Sequence, residues 1–168
     1  MIAKAARILL VFGALAAGAC ASAVLSPLSY PEPDVACPGG RVNWRLEVVD
    51  QRAERTDSDR VTNVIRESIV RSFPGCRWES DDSSAPLIRI EVHRFNASLQ
   101  GNIWDAAVEW AVVAQGARGE TLTEFIAEGE VSRPNYRGSN NELEALKLSF
   151  DQAVRRTLAG LRTLSLGG

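Results

Sequence analysis

Four segments of this chain alternate apolar and polar residues, the pattern of a strand with one buried face. In residues 42–50 every second residue is apolar, which is the period of two that a half-buried strand requires. The same alternation recurs in residues 87–95, 103–115 and 121–131. The glycines in residues 116–119 predict a hairpin loop between the last two strands. The chain therefore carries four predicted strands.

Two other segments have the period of an amphipathic helix. In residues 59–73 apolar side chains recur about every four positions, and Pro74 and Gly75 end the pattern. Residues 140–164 carry a second stripe of this kind. The element order β-α-β-β-β-α predicts an α+β two-layer sandwich, in which two amphipathic helices cover one face of a four-stranded, mostly antiparallel sheet.

The first nineteen residues have the order of a secretory signal peptide. Lys4 and Arg7 precede a nearly unbroken apolar run at residues 8–16, and small residues follow as far as Ala19. The apolar run is shorter than the ~20 residues that span a bilayer as a helix. We therefore expect residues 1–19 to be cleaved. A short anchor that stays uncleaved is the alternative.

Cys20 directly follows this signal. Residues 17–20, Ala-Gly-Ala-Cys, resemble the bacterial lipobox, in which the cysteine thiol receives a diacylglyceryl group and the cysteine becomes the first residue. Ala17 stands where leucine is usual in that motif. The resemblance implies a periplasm-facing lipoprotein labelled by palmitate, and Ala21 in place of aspartate favours the outer membrane over the inner one. Cleavage before Cys20 without lipid is the alternative.

The mature chain divides into a tether and one domain. Residues 20–41 contain four prolines and the Gly39-Gly40 pair without helical or strand period, which predicts a tether. Residues 42–168 form the predicted domain, an ordinary length for one. Loss of the signal removes two basic residues and no acid, so the net charge moves from −2 to −4. This mildly acidic balance gives no reason to expect nucleic acid as a partner.

Two further cysteines lie in positions that suit a disulfide. Cys37 comes just before the first strand, and Cys76 comes just after the helix that returns antiparallel to it. Both therefore fall at the same end of the predicted sheet. An exported protein folds in an oxidising compartment, which favours the Cys37–Cys76 bond. Two free buried thiols are the alternative.

The remaining side chains predict a binding surface and no catalytic site. His93 is the sole histidine, and its neighbours Arg89 and Glu91 are explained more simply as cross-strand charge pairs. We predict no catalytic residue, no metal ligand and no cofactor. The candidate binding surface is the outward sheet face with Arg45, Arg89, Glu91 and His93, with Trp78 at its margin as an aromatic free to contact a partner.

Over residues 42–161 the chain resembles the YajG-like family of small, uncharacterised Gram-negative lipoproteins. The similarity lies in residues 48–52 (Val-Val-Asp-Gln-Arg), the helix at 61–73, residues 88–102 and the long hairpin at 108–131. The resemblance implies no known reaction. A weaker similarity of layout is to the auxiliary lipoproteins of envelope ABC transporters and to the assembly lipoprotein of the lipopolysaccharide translocon, and layout alone is analogy.

These observations predict a membrane-anchored envelope lipoprotein, a non-enzymatic protein that binds an unknown envelope protein or lipid. An auxiliary subunit of an envelope lipid or solute transport system is the alternative within binding proteins. A periplasmic hydrolase that uses His93 is the alternative from another class.

Overall fold

We describe the protein from a computed structural model. The described residues are 25–28, 37–40, 43–78, 83–136 and 140–164. The predicted signal peptide, Cys20 and most of the predicted tether lie outside these ranges.

The predicted order of elements, β-α-β-β-β-α, is confirmed. The elements are β1 (Arg45–Asp50), α1 (Ser58–Ser72), β2 (Leu87–Gln100), β3 (Ile103–Gln115), β4 (Thr121–Pro134) and α2 (Asn141–Arg162). Within the described ranges, neither helix is apolar enough over a sufficient length to cross a membrane.

The strands form one sheet in the order β1-β2-β3-β4. β1 is parallel to β2, whereas β2 with β3 and β3 with β4 are antiparallel. The predicted mostly antiparallel sheet is therefore confirmed. Parallel neighbours need a connection that returns the chain to the starting end of the sheet, and α1 lies in that connection.

The core lies between the sheet and the helix layer. α1 packs on β1, and α2 packs mainly on β4 and β3. Trp44, Trp110 and Phe150 are buried, and the Trp110 indole N–H donates a 2.8 Å hydrogen bond to Oγ1 of Thr157 on α2. That bond satisfies a polar group that would otherwise be buried without a partner. Trp104 is only half-buried because it lies near the β2–β3 turn.

α2 approaches β4 most closely at Gly129. A Cβ atom on Gly129 would lie 1.9 Å from the Ser149 carbonyl oxygen. The Ser149 hydroxyl donates a hydrogen bond to the Gly129 carbonyl oxygen. Only glycine allows the helix backbone to come so near the strand.

β2 is longer than predicted and contains a bulge. It continues to Gln100 instead of ending at Phe95, and Gly101 in the following turn has a φ of 62°. The register with β3 shifts between Val92 and Arg94, which leaves His93 as the extra residue of a β-bulge. Strict alternation therefore fails beyond Val92. Phe95 packs on the core side against Phe150, their ring centroids 5.8 Å apart.

Part of the predicted tether packs on the domain. Leu25 is buried in the core, and the Leu28 backbone N–H donates a 2.9 Å hydrogen bond to the Ser68 hydroxyl on α1. Farther along, the Trp44 indole N–H donates a 2.8 Å hydrogen bond to the Pro38 carbonyl oxygen. The segment predicted as a tether thus contacts the domain at these described residues, because two leucines cover apolar surface of the helix layer.

Candidate functional site

Arg52 holds the loop after β1 in place through ion pairs. Nε and Nη2 of Arg52 donate to the two carboxylate oxygens of Asp50 at 2.9 and 2.8 Å, and Nη2 also donates to Asp57 at 2.7 Å. Nη1 reaches the Phe95 carbonyl oxygen at 3.4 Å, and the guanidinium lies 5.9 Å from the centroid of the Phe95 ring. Arg52 therefore connects the β1–α1 loop to β2.

Burial and hydrogen bonding shift the pKa of Asp50 in opposite directions. Burial raises the pKa of Asp50, but its hydrogen bonds with Arg52 and the Ser58 hydroxyl lower it more, so the carboxyl pKa lies below its ordinary value. The hydrogen bond to Asp50 in turn raises the pKa of the Arg52 guanidinium. Both groups are therefore charged at neutral pH and neutralise each other.

A cavity of about 640 Å³ lies beside this ion pair. It is bounded by the β1–α1 loop, the N-terminal half of α1, the second half of β2 and the start of α2. Apolar side chains of the helix layer and β2 line it together with charged and polar ones, among them Arg60 on α1, Arg94 on β2 and Glu142 on α2. The apolar residues that line it are Leu25, Val61, Val64, Phe95, Ala97 and Leu146. The cavity therefore combines apolar surface with polar groups that can orient a bound molecule, as small-molecule and peptide sites do.

His93 lines this cavity, where β2 extends beyond the end of β1. Sequence alternation had grouped His93 with Arg89 and Glu91 on the outward sheet face. The bulge reverses the alternation only from the following residues onward, and His93 is exposed directly after buried Val92. His93 therefore borders the cavity from the outward side of β2.

Two arginines of the outward sheet face are paired with glutamates. Arg89 Nε lies 2.9 Å from Glu91 Oε1 within β2. Arg94 Nη1 lies 3.2 Å from Glu130 Oε1 on β4. Arg45 lies at the start of β1 in register with Leu87, on the same part of the sheet as Arg89. Exposed pairs of this kind contribute little to stability, and they leave less net charge for a partner to recognise.

Trp78 packs against the domain and is less free than the sequence indicated. It is half-buried, pairs with Trp44 through an isolated parallel bridge, and lies 6.3 Å from Phe73 between ring centroids. Trp78 lies in the connection between α1 and β2, directly after its turn, and the bridge to Trp44 brings it alongside the start of β1. Trp78 therefore packs partly against the core and is not a fully exposed aromatic side chain.

The two cysteines that follow Cys20 are joined. Cys37 and Cys76 form a disulfide with their Cα atoms 5.2 Å apart. The predicted location explains this, because the end of α1 and the approach to β1 meet at one end of the sheet. In the part of the chain that the structure describes, no three His, Cys, Asp or Glu side chains lie close enough to share a metal ion.

Sequence reasoning missed the two residues that shape the cavity, Arg52 and Phe95. A signal for Arg52 was present, since an acid that ends a buried strand and a basic residue two positions later can form a turn-closing pair. No local signal marked Phe95, because its orientation depends on the bulge at His93.

Solved structures share this fold. Protein XCC0632 from Xanthomonas campestris, described with the family model DUF330, aligns over 82% of this chain and 91% of its own at 18% identity, with a TM-score of 0.53. The hypothetical protein CT253 from Chlamydia trachomatis aligns over 73% of this chain and 96% of its own at 11% identity, also with a TM-score of 0.53. At these identities the similarity establishes the fold alone.

No family model matches the sequence, and no curated protein sequence matches it significantly. Membership of the YajG-like family therefore stays a prediction.

Proposed function

We propose that this chain is a lipid-anchored protein of the bacterial envelope, related to the YajG-like lipoproteins, that binds a partner through the cavity and catalyses no reaction. The signal-like order of residues 1–19 and the following Cys20 support the anchor. Ala21 supports outer-membrane placement by resemblance to enterobacterial sorting. The partner is an envelope protein or lipid.

The cavity carries the binding part of this proposal. It offers apolar side chains next to polar groups, whereas Arg89 and Arg94 on the outward sheet face are each paired with a glutamate. The charged groups at the cavity also favour binding over catalysis. Arg52 and Asp50 are held in a mutual, buried pair, which suits a structural role better than proton transfer at neutral pH.

The binding site is tested by filling the cavity. Ala97→Trp places an indole in the cavity wall. Ala107→Trp is the matched control on β3. Its neighbours Ala106 and Val108 face the core, so Ala107 lies on the outward face of the sheet. We expect Ala97→Trp to abolish in-cell crosslinking to the partner and Ala107→Trp to preserve it. The reverse result would assign binding to the outward sheet face.

The anchor is tested at Cys20. Cys20→Ala is expected to abolish metabolic labelling with palmitate and to leave unprocessed precursor. Labelling that persists in this variant would contradict lipidation at Cys20.

The absence of catalysis is tested at His93. Hydrolysis of ester, amide and glycoside substrates by the purified protein is compared with that of a His93→Ala variant. A hydrolytic activity that disappears in the variant, while crosslinking is unchanged, would overturn the binding proposal in favour of a hydrolase.

A further inference from the structure

One residue that lines the cavity lies outside the predicted domain. Leu25 lines the cavity and is only 9% exposed, although it belongs to the segment predicted as a tether. The other residues that line the cavity come from the β1–α1 loop, α1, β2 and α2. We call residues 25–28 the strap. The strap is therefore part of the site as well as part of the connection that precedes the domain.

Two leucines and one backbone hydrogen bond hold the strap on the helix layer. Leu25 belongs to the core and Leu28 is partly buried against it, whereas Ser26 between them is exposed. The Leu28 backbone N–H donates a 2.9 Å hydrogen bond to the buried Ser68 hydroxyl, which in turn donates to the Val64 carbonyl oxygen at 2.6 Å. One face of α1 therefore holds the strap through Ser68 and lines the cavity through Val64.

The docked strap is held by opposing free energies of similar size. Burial of two leucine side chains favours docking, whereas the loss of backbone freedom over four residues opposes it. The strap belongs to neither a helix nor a strand, so regular backbone pairing does not add to its stability. Segments held in this way are among the parts of a protein that open most easily. A further contact at Leu25 therefore shifts the strap toward its docked state.

We propose that the strap is a movable wall that closes on the apolar part of a ligand in the cavity, so that strap docking and ligand binding stabilise each other. This coupling rests on the proposed use of the cavity as the binding site. A ligand that lies against Leu25 gains that contact only while the strap is docked. Coupling between two equilibria is reciprocal, so a chain whose strap docks poorly binds such a ligand poorly.

The chemistry of Leu25 defines which part of a ligand the strap contacts. A leucine side chain has no hydrogen-bond donor or acceptor, so it stabilises only an aliphatic or aromatic group. Val61 and Val64 of α1 and Leu146 of α2 add aliphatic surface to the same cavity.

The alternative, a plug that a ligand must expel, fits the structure less well. With the strap docked, a cavity of about 640 Å³ is still open beside Leu25. This volume lies within the range of small-molecule sites, so a ligand enters without displacing the strap.

The test changes the strap and leaves the residues that line the cavity unchanged. Leu28 packs against the core but does not line the cavity, and Leu28→Asp places a charge at that contact and should release the strap. Leu148→Asp is the matched control, because Leu148 is 39% exposed on α2. Both variants are made in the mature chain, residues 20–168, in which Cys20→Ser removes the proposed acylation site.

The probe is N-phenylnaphthylamine, an uncharged apolar fluorophore whose emission rises when it leaves water. Ala97→Trp, which fills the cavity, establishes whether the probe binds there. We expect Leu28→Asp to weaken probe binding by about fivefold or more, and Leu148→Asp to leave it unchanged.

Hydrogen exchange of the Leu28 amide, followed by NMR, measures strap docking directly. The hydrogen bond to Ser68 protects this amide only while the strap is docked. We expect saturating probe to slow its exchange several-fold in the parent protein.

Three results would overturn the movable wall and leave the cavity as the binding site. The first is probe binding in the cavity that Leu28→Asp does not change. The second is tighter binding in Leu28→Asp, with faster Leu28 exchange when probe is added to the parent protein, which would make the strap a plug. The third is equal weakening in Leu28→Asp and Leu148→Asp, which would indicate a general loss of stability.

Failure of the proposed function gives a different result. Absence of probe binding to the parent protein, or binding that Ala97→Trp leaves unchanged, would contradict the cavity as a site for apolar groups. The movable wall would then be overturned together with the cavity's proposed role.

Discussion

Replacing Arg52 by alanine removes the partner of a buried carboxylate. The Asp50 side chain is 2% exposed, and that of Arg52 is 10% exposed. Arg52→Ala deletes the two side-chain hydrogen bonds to Asp50, at 2.9 and 2.8 Å, and the bond to Asp57. Asp50 keeps the 3.1 Å hydrogen bond from the backbone N–H of residue 52 and the one from the Ser58 hydroxyl.

The size of the effect follows from what remains around Asp50. Removal of one member of a buried ion pair costs about 3–5 kcal/mol of unfolding free energy, because the other charge stays buried. Since Asp50 retains two hydrogen bonds, we expect a loss of about 3 kcal/mol, at the lower end of that range. For a domain of this size that loss lowers Tm by about 10 °C.

Arg156→Ala is the matched control. Arg156 Nη1 makes an ion pair with Glu128 at 2.8 Å, as short as the buried pair, but its side chain is 54% exposed. Such a pair contributes about 0.2–1 kcal/mol. Urea unfolding followed by tryptophan fluorescence measures both variants against the parent protein.

The effect depends on pH in a defined direction. The Asp50 pKa is lowered by folding, so its contribution is present above the ordinary carboxyl pKa of 3.8 and is lost as the pH falls through the lowered value. The difference in unfolding free energy between the parent protein and Arg52→Ala should therefore reach its full size at pH 7 and become smaller below about pH 4. A gap at pH 7 no larger than that of Arg156→Ala, or one that persists unchanged in acid, would refute the reasoning.

Two further predictions concern packing and the disulfide. Gly129→Ala should lower the unfolding free energy by at least about 1–3 kcal/mol, because its Cβ would overlap the Ser149 carbonyl oxygen. The Cβ of Gly75→Ala meets no atom within 4 Å, so this control variant should be as stable as the parent protein. Similar melting temperatures for the two variants would contradict this. Reduction of the Cys37–Cys76 bond, whose half-cystines are 39 residues apart, should destabilise the protein by up to about 4 kcal/mol. Non-reduced peptide mass spectrometry that finds both thiols alkylated would contradict the bond.

The local pattern of the chain was enough to predict its elements and fold class. Residues 59–73 carry a helical period and residues 103–115 a strand period, and each period is a property of a few neighbouring residues. The end-to-end arrangement of elements also placed Cys37 near Cys76. These features follow from sequence because the choice between helix and strand, and the end at which each element finishes, depend on short-range information.

The candidate site depended on contacts between segments far apart in the chain. The bulge at His93 arises from register with β3, and it reverses the orientation that alternation predicts for Phe95. Leu25 lies in the cavity because residues 25–28 pack on the helix layer. Periodicity carries no information about such pairings, because their energies are set by the packing and hydrogen bonding of partners that the tertiary structure brings together.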